Sequence, residues 1–230
     1  MKNIINKRTL LVRRENESLM ELEAAGFTND LAKKIITNQI EARGIMGQNM
    51  FGVEEAIMYW GDFTVQQAAP LSKIPFSSAT LEKCKETHIL VAVFPTSIND
   101  IRGKIPFKLF YDKLWSGDEL FVNDRGNVSW ELVRKTPVEN STKKTWKDQQ
   151  MIIPNNEKVP TARVMAYVII SHYLATGERL FELSHVRCSD VDQYGSRIYV
   201  GGFDKAGLDI LGIWDVLSLD DVGVSSVWEY

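Results

Sequence analysis

The sequence predicts an α+β fold, with a helical N-terminal region at residues 1–75 and a strand-and-helix region at residues 76–230. Apolar residues recur at helical spacing in the first third of the chain. An unbroken apolar run, "HILVAVF", then indicates a buried strand. The C-terminal segment alternates short β-rich runs with Gly and Asp turns, which is typical of an antiparallel β element. No Pro-rich or Ser-rich linker separates the two regions, so they can pack as one unit.

The N-terminal region is predicted to be all-helical. Two helices lie between about residues 16 and 45, and Gly26 ends the first of them. The second has a buried stripe at helical spacing, formed by Leu31, Ile35, Ile36 and Ile40. Its start is capped by one of three neighbouring side chains, Thr28, Asn29 or Asp30. Two shorter helices follow in "FGVEEAIMYWGDFTVQQAAPL" and end at Gly61 and Pro70.

The second region is predicted to mix helices and strands. The segment "SATLEKCKET" indicates a capped helix before the buried strand, and "ELFVNDRGNVSWELV" indicates a hairpin that turns at residues 124–127. A helix capped by Ser141 is expected in "STKKTWKDQQMII". The segment "PTARVMAYVIISHYLATG" opens on Pro160 and closes on Gly177. Because it is the most apolar helix of the chain, we expect it to be central.

Composition favours an ordinary globular protein. Hydrophobic residues make up 44% of the chain and charged residues 25%, which favours neither the disordered nor the membrane class. The longest apolar run, residues 164–170, is too short to cross a bilayer. The basic N-terminus lacks the apolar stretch of a secretory signal. We therefore expect a soluble cytoplasmic protein whose two cysteines are reduced and which makes no membrane contact.

Two short Cys and His pairs, "CKETH" and "HVRC", together supply four zinc ligands: Cys84, His88, His185 and Cys188. The spacing is unfavourable, because Cys84 lies in a predicted helix and His88 begins a strand. The simpler interpretation is that both cysteines are small buried hydrophobic residues. No cofactor is therefore predicted, and zinc is the alternative. In "SDVDQYG", Tyr194 replaces the third oxygen ligand of a calcium loop, so a hairpin turn is expected there.

No recognisable enzyme motif occurs in the sequence. It lacks G-x-S-x-G, H-E-x-x-H, a Walker loop and the dinucleotide G-x-G-x-x-G. His172, on the predicted central helix, and Glu178, just after it, are the candidate acid and base of an active site without a motif. The more common role of such a histidine is a hydrogen bond to a neighbouring group.

The best candidate for nucleic-acid binding lies in "WELVRKTPVENSTKKTWKDQQ", where aromatic and basic residues alternate. Aromatic rings stack on bases, and basic side chains neutralise phosphates. The candidate residues are Trp130, Arg134, Lys143, Lys144 and Trp146. A sequence pI near 5.7 argues against a dedicated nucleic-acid-binding protein, and tryptophan more often anchors a core.

Several segments together resemble a group of functionally uncharacterised bacterial proteins. The resemblance covers roughly residues 50–226 and rests on "LEKCKETHILVAVFP", "DIRGK", "LVRKTPVENSTKKTW", "VPTARVMAY", "TGERLFE" and "GVSS". It implies a bacterial or phage-related intracellular origin. It implies no activity, no cofactor and no site residue.

The absence of enzyme motifs favours a binding protein for a protein or nucleic-acid partner. Two alternatives are a small hydrolase, metal-assisted or not, and a structural or assembly protein. A deep polar cleft around His172 would favour the hydrolase. An exposed surface carrying the tryptophans and lysines would favour binding, and a large symmetric interface would favour assembly.

Overall fold

The computed structural model describes residues 28–61, 69–105, 109–111 and 119–230, together with Met20. These residues form an α+β fold with seven α-helices and nine strands, which confirms the predicted class. The helices are α1 (Asn29–Met46), α2 (Val53–Trp60), α3 (Ser78–Cys84), α4 (Ile98–Lys104), α5 (Leu120–Asn123), α6 (Trp146–Gln150) and α7 (Ala162–Thr176). The strands are β1 (Met50–Phe51), β2 (His88–Val93), β3 (Ser129–Arg134), β4 (Glu157–Lys158), β5 (His185–Val191), β6 (Arg197–Asp204), β7 (Gly207–Ile213), β8 (Val222–Val224) and β9 (Val227–Trp228).

The described strands form two mixed sheets. The first sheet has the order β1-β2-β3-β9-β4, with β1 parallel to β2 and the other neighbours antiparallel. The second sheet has the order β7-β6-β5-β8. Strands β5, β6 and β7 are antiparallel, as expected for the C-terminal part, and β8 adds a parallel edge beside β5.

Helix α7 lies between the two sheets and confirms the expected central helix. It contacts β2 of the first sheet and both β5 and β6 of the second. Every residue from Ala162 to His172 is buried, as expected for a helix that packs on all sides. Thr161 caps its start by accepting the Val164 N–H, and Gly177 ends it in the left-handed conformation at φ 76°.

The described part of the N-terminal region is mostly helical. Helix α1 is capped by Thr28, whose hydroxyl accepts the Leu31 N–H, and α2 ends at Gly61, as predicted. Ile40 of the predicted buried stripe is exposed. The predicted helix before Gly26 lies outside the described residues. Strand β1 was not predicted, and it pairs with β2 of the following region.

The predicted hairpin at residues 124–127 is wrong. The segment before it forms helix α5, and β3 after it pairs with β2 instead. Asp124 Oδ1 accepts the Gly126 N–H, which forms a local turn. Gly126 adopts φ 53°, and a Cβ there would lie 2.3 Å from Arg163 Nη2. The turn is therefore shaped by the central helix and does not connect two paired strands.

Ser141 was predicted to cap a helix, and this is also wrong. Helix α6 starts at Trp146, and its N-cap is Thr145, whose hydroxyl accepts the Asp148 N–H. Ser141 is buried, and its hydroxyl accepts the Val224 N–H of β8. Among the described helices, none is both long and apolar enough to cross a membrane.

Candidate functional site

The four candidate zinc ligands do not come together. Cys84 ends α3 and His88 begins β2 of the first sheet, whereas His185 and Cys188 both lie in β5 of the second sheet. In the part of the chain that the structure describes, no group of three or more His, Cys, Asp or Glu side chains is arranged to hold a metal ion. Both cysteines are buried free thiols, and burial raises the pKa of each.

His88 belongs to a buried polar cluster on the first sheet. Its Nε2 lies 3.6 Å from Glu157 Oε1, and both side chains are almost fully buried. Arg134 makes a two-pronged contact with the same carboxylate, at 2.8 Å from Nε and 3.0 Å from Nη2. The Ser226 hydroxyl donates to Glu157 as well. Three side chains, two of them from strands β2 and β3 and one from the residue before β9, thus meet at the carboxylate of Glu157 in β4.

Glu157 is ionised in this cluster. Burial raises its pKa, but interactions with His88, Arg134 and Ser226 outweigh burial and hold the pKa at about 2. A fully satisfied buried carboxylate of this kind joins the edge strand β4 to β3 and β9. His88, Glu157 and Ser226 are buried and Arg134 is only partly exposed, so the cluster mainly holds the sheet together.

His172 and Glu178, the candidate acid and base, are in contact. His172 Nε2 lies 2.8 Å from Glu178 Oε2. The imidazole side chain is only 2% exposed, whereas the glutamate side chain is 63% exposed. The carboxylate therefore covers the outer nitrogen of the imidazole, and a substrate cannot reach that nitrogen without displacing Glu178. This hydrogen bond holds the segment that follows α7 against the C-terminal end of the helix.

The candidate nucleic-acid residues are dispersed and mostly engaged. Trp130 is buried and donates its Nε1–H to the Leu71 carbonyl. Trp146 is also buried, with the Arg197 guanidinium 4.3 Å above its ring. Arg134 binds Glu157, as described above. Neither tryptophan offers a ring face to a base, so the described structure does not assemble the stacking surface that the sequence suggested.

Lys143 and Lys144 lie beside a different feature, an exposed apolar surface on the second sheet. Among the described residues, fourteen large hydrophobic side chains are exposed, and six of them come from the end of β5, the turn after it and the segment that follows β7. We name this surface the Trp214 patch, and its members are Val191, Tyr194, Trp214, Val216, Leu217 and Leu219. Val216 is 79% exposed, Tyr194 70% and Trp214 54%.

The two loops of the Trp214 patch are in direct contact. The Trp214 ring lies 4.0 Å from the position that a Cβ on Gly195 would occupy. Arg197, at the start of β6, pairs with Asp215 at 3.1 Å. This ion pair joins the β5–β6 turn to the segment that follows β7. Trp214 and the β5–β6 turn therefore lie side by side at this end of the second sheet.

The β5–β6 turn has the hairpin form expected from "SDVDQYG". Asp192 Oδ1 accepts the N–H groups of Tyr194 and Ser196 at 2.9 and 2.8 Å. Gly195 adopts φ 82°, which glycine tolerates without steric strain. Because the aspartate oxygen binds backbone donors, the turn is stabilised without a metal and directs Tyr194 to the solvent.

A buried arginine fixes the other loop of the patch. Arg187 of β5 is fully buried, and its Nη2 donates to the Leu217 carbonyl. Its Nη1 donates to the Lys144 carbonyl at 3.1 Å and to Gln149 Oε1 at 2.8 Å. Burial lowers the pKa of Arg187, and nearby Asp215 opposes that shift. One side chain thus holds residues 144–149 and 214–219 against the sheet.

Backbone hydrogen bonds hold the same two segments together. The Lys143 N–H donates to the Leu219 carbonyl, and the Trp146 N–H donates to the Asp215 carbonyl, both at 2.9 Å. The Leu217 N–H closes a turn on the Trp214 carbonyl at 3.0 Å. The loop is therefore hydrogen-bonded although its apolar side chains face the solvent. A surface that is fixed in advance loses little entropy when it binds.

The fold and this surface define an α+β protein with two mixed sheets around one helix and an ordered apolar patch at one end of the second sheet. No family model, curated protein or solved structure matches the chain. The resemblance to a bacterial group therefore stays an expectation.

Sequence reasoning missed the Trp214 patch. The predicted sites consist of charged, metal-binding and buried aromatic residues, and the C-terminal segment was predicted only as short β-rich runs with Gly and Asp turns. A usable signal is present in "WDVLSLDD", where four large apolar residues alternate irregularly with Asp and Ser after a strand. The segment fits neither a helical period of 3.6 nor a sustained strand period of 2.

Proposed function

We propose that the protein is a cytoplasmic protein-binding protein and that the Trp214 patch is its binding surface. The observation that carries this proposal is the group of six exposed apolar side chains on two loops that are fixed by hydrogen bonds. Contiguous exposed apolar surface marks interaction sites in folded proteins. Tryptophan and tyrosine are the side chains that most often contribute large binding energies at such sites.

A protein partner fits this surface better than a nucleic acid does. The exposed aromatic residues of the patch, Trp214 and Tyr194, lie on loops that carry aspartates, and these repel phosphate. The two tryptophans next to basic residues, Trp130 and Trp146, are buried. The features that nucleic-acid binding requires are therefore separated in this chain.

Binding also fits the described residues better than hydrolysis does. Each of the three histidines lies near a carboxylate: His88 near Glu157, His172 near Glu178 and His185 near Asp221. The two that are almost fully buried, His88 and His172, are not accessible to a substrate. Neither cysteine is exposed. The exposed side chains of the Trp214 patch are apolar, which suits association with another protein.

Co-purification from the protein's own cells tests this function. The parent chain is compared with the variant Trp214→Ser/Val216→Ser, and with Met58→Ser, which changes an equally exposed residue on α2. We expect the parent to recover at least one protein in an amount close to its own. The recovery of that protein should fall at least about tenfold with the patch variant and should persist with Met58→Ser. Melting temperatures confirm that all three chains are folded.

Either of two results would contradict the proposal. One is equal recovery of every partner with the parent and the patch variant. The other is the absence of any partner that the parent recovers in near-equal amount.

A further inference from the structure

His185, the first residue of β5, lies between two aspartates that come from neighbouring elements. Its Nδ1 is 3.2 Å from Oδ2 of Asp221, in the segment before β8, and its Nε2 is 3.8 Å from Oδ2 of Asp209, on β7. The imidazole side chain is 15% exposed, whereas those of Asp209 and Asp221 are 29% and 55% exposed. One imidazole therefore faces a carboxylate on each of its two nitrogens.

The imidazole of His185 packs directly on the backbone of β6. Gly202 adopts φ 55°, and a Cβ there would lie 2.6 Å from His185 Nε2, so glycine leaves the room that the ring needs. The Gly202 N–H donates to the Ser184 carbonyl at 3.0 Å. The Tyr199 ring of the same strand meets the imidazole edge-on, with the ring centroids 5.2 Å apart. These contacts hold the imidazole between the two carboxylates.

A neutral imidazole cannot donate a hydrogen bond to both aspartates. It carries one N–H, whereas the protonated ring carries two. When Nδ1 donates its proton to Asp221, the neutral ring presents the lone pair of Nε2 to Asp209. Nε2 is buried and has no hydrogen-bond partner, which is rare for a polar atom inside a folded protein. Protonation gives Nε2 the N–H that the Asp209 carboxylate can accept.

We propose that His185 is a pH-sensitive clasp, which closes on Asp209 and Asp221 when the imidazole takes up a proton and loosens when it loses that proton. Histidine is the side chain that ordinarily changes its charge between pH 5 and 8. The Asp221 carbonyl also accepts the His185 N–H at 2.8 Å, so the closed clasp holds the end of residues 214–221 against β5. This inference concerns the conformation of the chain and does not rest on the proposed function.

The titratable groups that face the imidazole are the two aspartates and Tyr199. Burial raises the pKa of Asp209, and the neighbouring His185 opposes that shift, while Asp204 adds to it. Burial and the two aspartates raise the pKa of Tyr199 above its ordinary value, so its phenol stays neutral. A comparison between about pH 6 and about pH 8 lies well above the ordinary pKa of an aspartate and below that of a tyrosine.

Hydrogen exchange of the purified full-length chain at about pH 6 and about pH 8 tests the clasp. The rates are corrected for the intrinsic pH dependence of exchange, and a metal chelator is present throughout. We expect residues 207–211 and 220–224 to be about threefold better protected at the lower pH, the size expected of a partly exposed ion pair.

Two variants assign the effect to His185. His185→Gln keeps a hydrogen-bonding side chain that cannot take up a proton, and it should abolish the pH difference in protection. Asp220→Asn is the matched control, because it changes an exposed aspartate beside Asp221 that pairs with Lys143 instead. This control should retain the pH difference.

Nitrogen NMR of the imidazole tests the protonation itself and needs no substitution. In the parent chain the ring shifts of His185 should report a second proton that is gained between about pH 8 and about pH 6. Protection that does not depend on pH, an equal pH dependence in His185→Gln, or a ring that gains no proton in this range would each overturn the clasp. None of these outcomes depends on a partner that binds the Trp214 patch.

Discussion

Glu157 shows how a single residue can hold several strands together. Its carboxylate accepts two hydrogen bonds from Arg134 and one from Ser226, with His88 close by. Taking a carboxylate out of water is costly, and this cost is offset only when its oxygens are fully hydrogen-bonded. The pKa of about 2 indicates that the ionised form is the stable one in the folded chain.

The sign of this shift predicts how stability depends on pH. Because folding lowers the pKa of Glu157 from 4.5 to about 2, its contribution is fully present above about pH 5 and is lost as the pH falls toward 2. A shift of this size corresponds to roughly 3 kcal/mol in the free energy of unfolding. We expect Glu157→Gln to lower stability at pH 7 by about that amount or more, because Arg134 loses its counter-charge.

Urea unfolding at pH 7 and pH 3 measures this effect. The loss caused by Glu157→Gln should be smaller at pH 3 than at pH 7, because the parent has then lost part of the same contribution. Glu182→Gln, at an exposed position, is the control and should leave stability unchanged at both pH values. An identical loss at both pH values would contradict the assignment.

The loop that follows β7 owes its position to contacts with two other elements. Arg187 of β5 bonds its backbone, and residues 143–146 bond its carbonyls. Replacing Arg187 with methionine preserves much of the side-chain volume but leaves the Lys144 and Leu217 carbonyls without this donor. We expect this variant to lose about 2–4 kcal/mol of stability, and residues 214–219 to lose more protection than the rest of the chain.

Hydrogen exchange measured by mass spectrometry checks this prediction. The control is Arg179→Met, which removes a partly exposed arginine that packs over Tyr173 and Phe203, 4.6 and 4.4 Å from their rings. Unchanged exchange at residues 214–219 in the Arg187 variant would show that the backbone hydrogen bonds alone fix the loop.

Local signals identified some elements and misassigned others. The end of α7 at Gly177 and the buried strand β2 were predicted correctly, because a C-terminal glycine and an unbroken apolar run are clear sequence signals. The hairpin at residues 124–127 was wrong because its turn packs against Arg163, far along the chain. Ser141 was misread for the same reason, since its hydroxyl bonds β8. In both cases contacts with residues distant in the sequence, and not the local sequence pattern, determined the structure.

In the molecule as a whole, helix α7 provides the shared core of the two sheets. Its buried residues contact strands of both sheets. A cavity in this helix should therefore weaken both sheets together. We expect Ile169→Ala, at a fully buried position, to cost about 2–5 kcal/mol and to reduce hydrogen-exchange protection in β2 and β6 alike.

Exchange rates near the midpoint of denaturation test this coupling. A conservative change at an exposed site of the second sheet, Val191→Ala, is the comparison and should have little effect. Loss of protection in only one sheet of the Ile169 variant would show that the sheets unfold independently.

At this scale the sequence pattern "WDVLSLDD" marks an unusual apolar segment, but it does not predict that this segment is exposed and lies beside the β5–β6 turn. Trp214 and Leu217 are large apolar residues, the same types that form the core. Whether such a residue is exposed depends on which loops pack above β5 and β6. The Cys and His pairs, which gave the most definite chemical signal, lie apart: Cys84 ends α3 and His88 begins β2 of the first sheet, whereas His185 and Cys188 lie in β5 of the second.

The most direct test of protein binding through the Trp214 patch is photo-cross-linking in the protein's own cells. A photoreactive phenylalanine derivative is placed at Val216 in one chain and at Met58, a similarly exposed residue of α2, in the other. The proposed surface predicts a defined protein adduct from position 216 and none of comparable yield from position 58. Equal or absent adducts from the two positions would contradict it.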